Sequence, residues 1–284
     1  MSYRQKCLPA CIAALLAGAA PAFAAASAPS LGAAADFAVL SAAPGGLGAV
    51  TCTDSTITGV VGSSGPPASV TQTSCTITGG VVAPVSAGAL AAFNGAYDAL
   101  AGQSCDSFLT GTLADVTLTP GVYCFAAAAA LTGTLTLRGG LNDTGLFKVG
   151  TSGTGALTGT NFSVVTASGA SACNVTWWVA EAATMTTSSF KGTILAGADI
   201  TGTGVAPTSP FEGRALAKAG VSLTNVAFLG CTGGSIGGTA KAKCNQGVGN
   251  GPEGCDPGNS NQGDPSRSND ELGGVPGTPG RKGG

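Results

Sequence analysis

Between residues 117 and 230 the chain cycles through three kinds of short, strand-like segment. Apolar pieces recur as VYCF (122–125), LFKV (146–149), TWWV (176–179), GTILA (192–196) and RALA (214–217). A threonine-rich piece follows each one: LTGTLTL (131–137), ALTGTN (156–161), ATMTTS (183–188), DITGTG (199–204) and VSLTN (221–225). The third kind is Phe-x-Gly, at Phe190-Lys191-Gly192 and Phe211-Glu212-Gly213, 21 residues apart. Three strand types recurring every 15–30 residues or so describe the coils of a β-solenoid with three sides.

One segment breaks the pattern. In VSAGALAAFNGAYDALAG (85–102), Leu90, Phe93, Tyr97 and Leu100 fall on one face at helical spacing. Ser86 is placed to cap the start and Gly102 to end it. The expected fold is mainly β: an irregular three-sided β-solenoid with one long α-helix packed along its side through those four residues.

Composition removes several classes of function. The chain has no histidine, which rules out Ser-His-Asp and Cys-His nucleophilic sites and most zinc sites. Only 9% of residues are charged and the net charge is −2, so a basic footprint for nucleic acid is missing. Arg4 and Lys6, the apolar CIAALLAGAA and an A-x-A-like site ending at Ala24 predict a signal peptide over 1–24. Leu8-Pro9-Ala10-Cys11 resembles a lipoprotein box but precedes the apolar run instead of following it. No other stretch approaches the ~20 apolar residues that span a bilayer, so membrane insertion is not expected.

The remaining eight cysteines are an even number with no Cys-x-x-Cys, which favours disulfides over a metal site. Many pairings are open. Sequence order favours Cys52–Cys75, Cys105–Cys124, Cys173–Cys231 and Cys244–Cys255. The main domain is expected over 25–240 and a Gly/Pro/Asn-rich flexible tail over 241–284. Asp256, Asn259, Asn261 and Asp264 in that tail miss the EF-hand spacing and read as linker.

Nine stretches, in order, resemble the microbial ice-binding-like family of secreted antifreeze proteins. They are LGAAADFAVLSA, ITGVVGSSG, ALAAFNGAYDALAGQSC, LTPGVYCF, LTGTLTL, LFKVGTSG, ACNVTWWV, FKGTILAGADIT and GRALAKAGVSLTNVAF, covering about 31–230. The resemblance implies the same irregular solenoid with a flanking helix. It also implies adsorption to an ice crystal surface through one flat face, by a secreted monomer. That activity makes and breaks no bond, so no catalytic residue, cofactor or metal is expected.

Within that expectation the register of LTGTLTL selects a site. Leu131, Leu135, Leu157, Met185, Ile200 and Leu223 point inward, and their neighbours Thr134, Thr136, Thr158, Thr184, Thr186, Thr201, Ser222 and Thr224 point out as the ice-binding ladder. Asp199 would mark the border of the face. Thr158-Gly159-Thr160-Asn161 matches the family's repeated Thr-(Ala/Gly)-x-(Thr/Asn), whereas TTSSF and the insert VAPTSPF do not, so the face is expected to be irregular.

Other readings compete. Trp177 and Trp178 look like a carbohydrate-stacking pair, but strand neighbours point to opposite sides, which predicts one in the core and one beneath another element. A solenoid lyase or hydrolase needs converging carboxylates. Glu181, Asp199 and Glu212, the only acids between 144 and 240, fall on different strand types. The alternative with more support is a surface adhesin or matrix protein without ice activity.

Overall fold

The computed structural model describes residues 26–204 and 210–231. The expected signal segment, the tail, its acidic cluster and the Cys244–Cys255 pairing lie outside the described residues.

The described chain is mainly β, and its strands pair in parallel in two sheets of eight and twelve strands. Valine, isoleucine, threonine and aromatic side chains supply the strand preference, and left-handed corner residues break the strands short. The order of strands along the stack differs from their order in the chain. Phe37–Ser41 pairs with Pro210–Ala217, Val50–Thr53 with Val221–Thr224, and Thr56–Thr58 with Ala227–Gly230. The N-terminal strands therefore continue a stack that the C-terminal strands begin.

The helix joins the two ends of that stack. It spans Ala87–Ala101, with Ser86 Oγ accepting from Ala89 N–H at 3.2 Å and Gly102 closing it. Fifteen residues give a rod of about 22 Å. Across the large sheet, Leu40, Leu216, Leu195, Trp178, Lys148 and Cys124 lie in one register line. Five steps of strand spacing along that line come to about 24 Å, so the helix length matches the sheet it crosses. Phe93, Tyr97 and Leu100 join Leu40, Leu216, Leu195, Trp178 and Cys124 in one buried cluster. The expected inner face needs one correction: Leu90 is only half-buried, and Ala89 and Ala96 are buried beside Phe93 instead. Small alanines let the helix backbone approach the sheet, which leaves Leu90 at the edge of the contact.

A second core fills the space between the sheets. Its centre is a line of aromatic rings, Tyr123, Phe147, Trp177, Phe190, Phe211 and Phe228, with successive centroids 5.6, 4.0, 5.3, 5.0 and 4.5 Å apart. Tyr123, Phe147 and Trp177 are in register on successive parallel strands, as are Phe190, Phe211 and Phe228, and the contact of Trp177 with Phe190 joins the two sets. Trp177 belongs to this line and Trp178 lies under the helix, 5.3 Å from Tyr97. Both are buried, so the pair offers no stacking platform to a carbohydrate.

Among the described residues three disulfides are formed, Cys52–Cys75, Cys105–Cys124 and Cys173–Cys231. The second ties the segment that leaves the helix to the strand Gly121–Phe125.

Candidate functional site

The eight-stranded sheet carries the candidate site. In its strands apolar side chains alternate inward with threonines outward, as in Leu157-Thr158-Gly159-Thr160 and Ala183-Thr184-Met185-Thr186. Register aligns these threonines into two columns. One runs through Thr158, Thr184, Thr201, Ser222, Thr51 and Thr71. The other runs through Thr160, Thr186, Thr203, Thr224, Thr53 and Thr73. Ala130 extends the first column by one strand.

All twelve side chains are exposed or half-exposed and none is charged. With strands about 4.8 Å apart, six strands give a strip about 24 Å long, and its two columns lie about 7 Å apart. Beneath it runs an inward row, Leu131, Gly159, Met185, Gly202, Leu223 and Cys52, in which large and absent side chains interleave. A Cβ on Gly202 would stand 2.9 Å from Leu223 Cδ2, so the glycine makes room for its larger neighbour and the strip stays level.

The far edge of the strip is a column of left-handed residues. Asn161, Thr187, Asn225, Asp54 and Ser74 have φ of 49°, 46°, 52°, 47° and 49°, and each directly follows the second threonine of its strand. Asparagine, aspartate and glycine tolerate this conformation best, and here it turns the chain off the sheet. Thr187 Oγ1 donates to Asn161 Oδ1 at 2.6 Å, linking two corners. Asp199 stands at the opposite edge, where its carboxylate accepts from Gly220 N–H at 2.7 Å.

Of the residues predicted for the site, Thr158, Thr184, Thr186, Thr201, Ser222 and Thr224 are brought together in these columns. Thr134 and Thr136 are not. Gly133, with φ of 71°, is the corner of its strand, so LTGTLTL is not a single flat row. Register jumps there, from Leu131 opposite Gly159 to Gly133 opposite Phe162, because Asn161 adds a residue to the neighbouring strand. Thr134 and Thr136 then pair with Ser163 and Val165, past the corner. The sequence reading also omitted Thr51, Thr53, Thr71, Thr73, Thr160 and Thr203. The signal that finds them is Thr-x-Thr followed by Asp, Ser, Asn or Gly: TCTD, TQTS, TGTN and TGTG.

Glu212 is ion-paired with Lys191, Asp199 is engaged with Gly220, and Glu181 is exposed. Among the described residues there is no group of three His, Cys, Asp or Glu side chains able to hold a metal, and no helix long and apolar enough to cross a membrane.

The family model described as ice-binding-like matches residues 34–228, and the chain belongs to that family. An ice-binding protein of Nostoc sp. (strain HG1) is 43% identical over 130 residues, covering 44% of this chain and 46% of the relative. The chain spans about half the length of the curated relatives it matches. Among solved structures, an ice-binding protein from an Antarctic bacterium of the Flavobacteriaceae aligns with TM-score 0.62 and 32% identity, over 75% of this chain and 49% of that one. An ice-binding protein from an Antarctic biological consortium aligns with TM-score 0.60 and 25% identity, over 75% of this chain and 96% of that one.

Proposed function

We propose that this protein adsorbs to ice through the threonine columns of the eight-stranded sheet and thereby inhibits ice growth and recrystallisation. One observation carries the reading: threonine or serine pairs stay in register on six successive strands with no charged side chain among them. Threonine suits the task because β-branching stiffens χ1, the methyl excludes water and the hydroxyl anchors it. Water ordered on such a grid can merge with a crystal lattice. Adsorbed molecules then force the ice front to bulge between them, which halts its advance.

The architecture proposed with this reading is an irregular three-sided β-solenoid. It is supported by Pro210–Ala217, which pairs with Ala227–Gly230 through residues 210–213 and with Phe37–Ser41 through residues 215–217. Those two ladders would be two sides and the threonine sheet the third. The disulfides and the expected signal segment support export, and the protein is proposed to act as a non-enzymatic monomer whose partner is ice.

Growth of a single ice crystal in dilute purified protein tests the reading. Faceted or arrested crystals at temperatures just below melting are expected. Round crystals growing as fast as in buffer would overturn it in favour of an adhesin or matrix role.

A further inference from the structure

Two N-terminal stretches repeat closely: TCTDSTITG (51–59) and TQTSCTITG (71–79). Both place threonines in the two columns, yet they differ at the points that hold a strand down. The inward position between the threonines is Cys52 in one and Gln72 in the other. Elsewhere that row holds buried Leu131, Met185 and Leu223, whereas Gln72 is exposed and contributes no core. Past the corner, Ser55 is buried, donates to Thr53 O and accepts from Val226 N–H. Its counterpart is Cys75, bonded back to Cys52.

The second stretch is also the end of the stack. Val70–Thr73 and Thr76–Ile77 each pair on one side only. Val70, Cys75 and Ile77 are only partly buried against the core. Thr71 and Thr73 thus sit on the strand with the least apolar support in the sheet.

We propose that the Cys52–Cys75 disulfide is the positioning element of the outermost rung, holding Thr71 and Thr73 in the plane of the other columns in place of the missing core contact. The inference rests on the proposed ice-binding role of this sheet. It assigns Cys52 and Cys75 a part in the site although neither faces the surface that would meet ice.

The test compares native full-length protein with Cys52→Leu/Cys75→Ser. Leucine is the residue at Leu131 and Leu223 in the same row, and serine is the residue at Ser55, so the replacement suits the fold. Amide hydrogen exchange over residues 70–78 should accelerate roughly a hundredfold, while residues 183–186 and 200–203 keep their protection. Thr71→Tyr should then lower ice-growth inhibition in the native background and change nothing in the double variant. Unaltered exchange over 70–78, or an equal Thr71→Tyr loss in both backgrounds, would overturn the proposal. If the double variant does not fold, native protein under mild reductant gives the same exchange readout. If Thr184→Tyr also leaves ice growth inhibition intact, the reading of the whole face fails, and the exchange result still decides whether the bond holds the strand.

Discussion

The hydroxyl of Tyr97 donates to the carbonyl oxygen of Val179 at 3.1 Å and lies 3.3 Å from that of Ala180. This contact joins the middle of the helix to the end of a strand whose other side faces the aromatic core. Burial pushes the Tyr97 phenol up to about 12, and the neighbouring Asp98 carboxylate adds in the same direction.

That shift makes stability pH-dependent on the alkaline side. A raised folded-state pKa means that the stability from the neutral phenol is fully present below about pH 10 and is lost as pH rises through about 12. Unfolding by urea at a series of alkaline pH values should show this decline in the native protein and a shallower one in Tyr97→Phe. Parallel declines in the two proteins would assign the alkaline loss to other groups.

Lys148 closes the C-terminal end of the helix. Its buried ammonium donates to Ala101 O at 2.9 Å and to Gln103 O, satisfying carbonyls that a helix C-terminus leaves free. Burial also lowers its pKa, so the charge is costly there. Lys148→Met is expected to destabilise the fold by about 1–3 kcal/mol, because two carbonyls at the end of the helix lose a charged donor. Ice-growth inhibition per folded molecule should not change, since Lys148 lies on the helix side. A melting temperature at or above the parent's would mean that desolvation outweighs the hydrogen bonds.

Two glycine-to-alanine changes should move stability in opposite directions. At Gly213, where φ is 151°, a Cβ would collide with the carbonyl oxygen of Gly192 in the stacked corner below. Gly213→Ala should cost more than about 3 kcal/mol, because neither backbone can yield without breaking its ladder. Gly95 is exposed in the helix interior, with nothing within 4 Å of an added Cβ. Gly95→Ala should stabilise by about 0.5–1 kcal/mol through helix propensity. Thermal melts of the two variants check both signs.

Much of this molecule was legible because its strands repeat. The helix was readable from Phe93, Tyr97 and Leu100 and its caps, and the three disulfides among the described residues join cysteines consecutive in the chain, as sequence order favoured. Placement of Trp177 and Trp178 on opposite faces of one strand followed from strand alternation. The site was harder to read because a corner leaves no mark in hydrophobicity. Gly133 turns LTGTLTL halfway, and the alternation of leucine and threonine continues across the bend as though the strand were straight. The splice of N-terminal strands onto the C-terminal end, which places Thr51 beside Ser222, is a long-range pairing that no local pattern announces.

Ice is expected to meet the threonine columns and not the surface past the corner. Thermal hysteresis of Thr201→Tyr and Thr136→Tyr, measured at equal concentration on folded protein, tests it most directly. Thr201 lies between Thr184 and Ser222 inside the first column, whereas Thr136 lies past Gly133 beside Val165 and Thr117. Each site is half-exposed on a strand, so neither tyrosine should cost much stability. Thr201→Tyr is expected to abolish most of the hysteresis and Thr136→Tyr to retain it. Loss in Thr136→Tyr with full activity in Thr201→Tyr would contradict it.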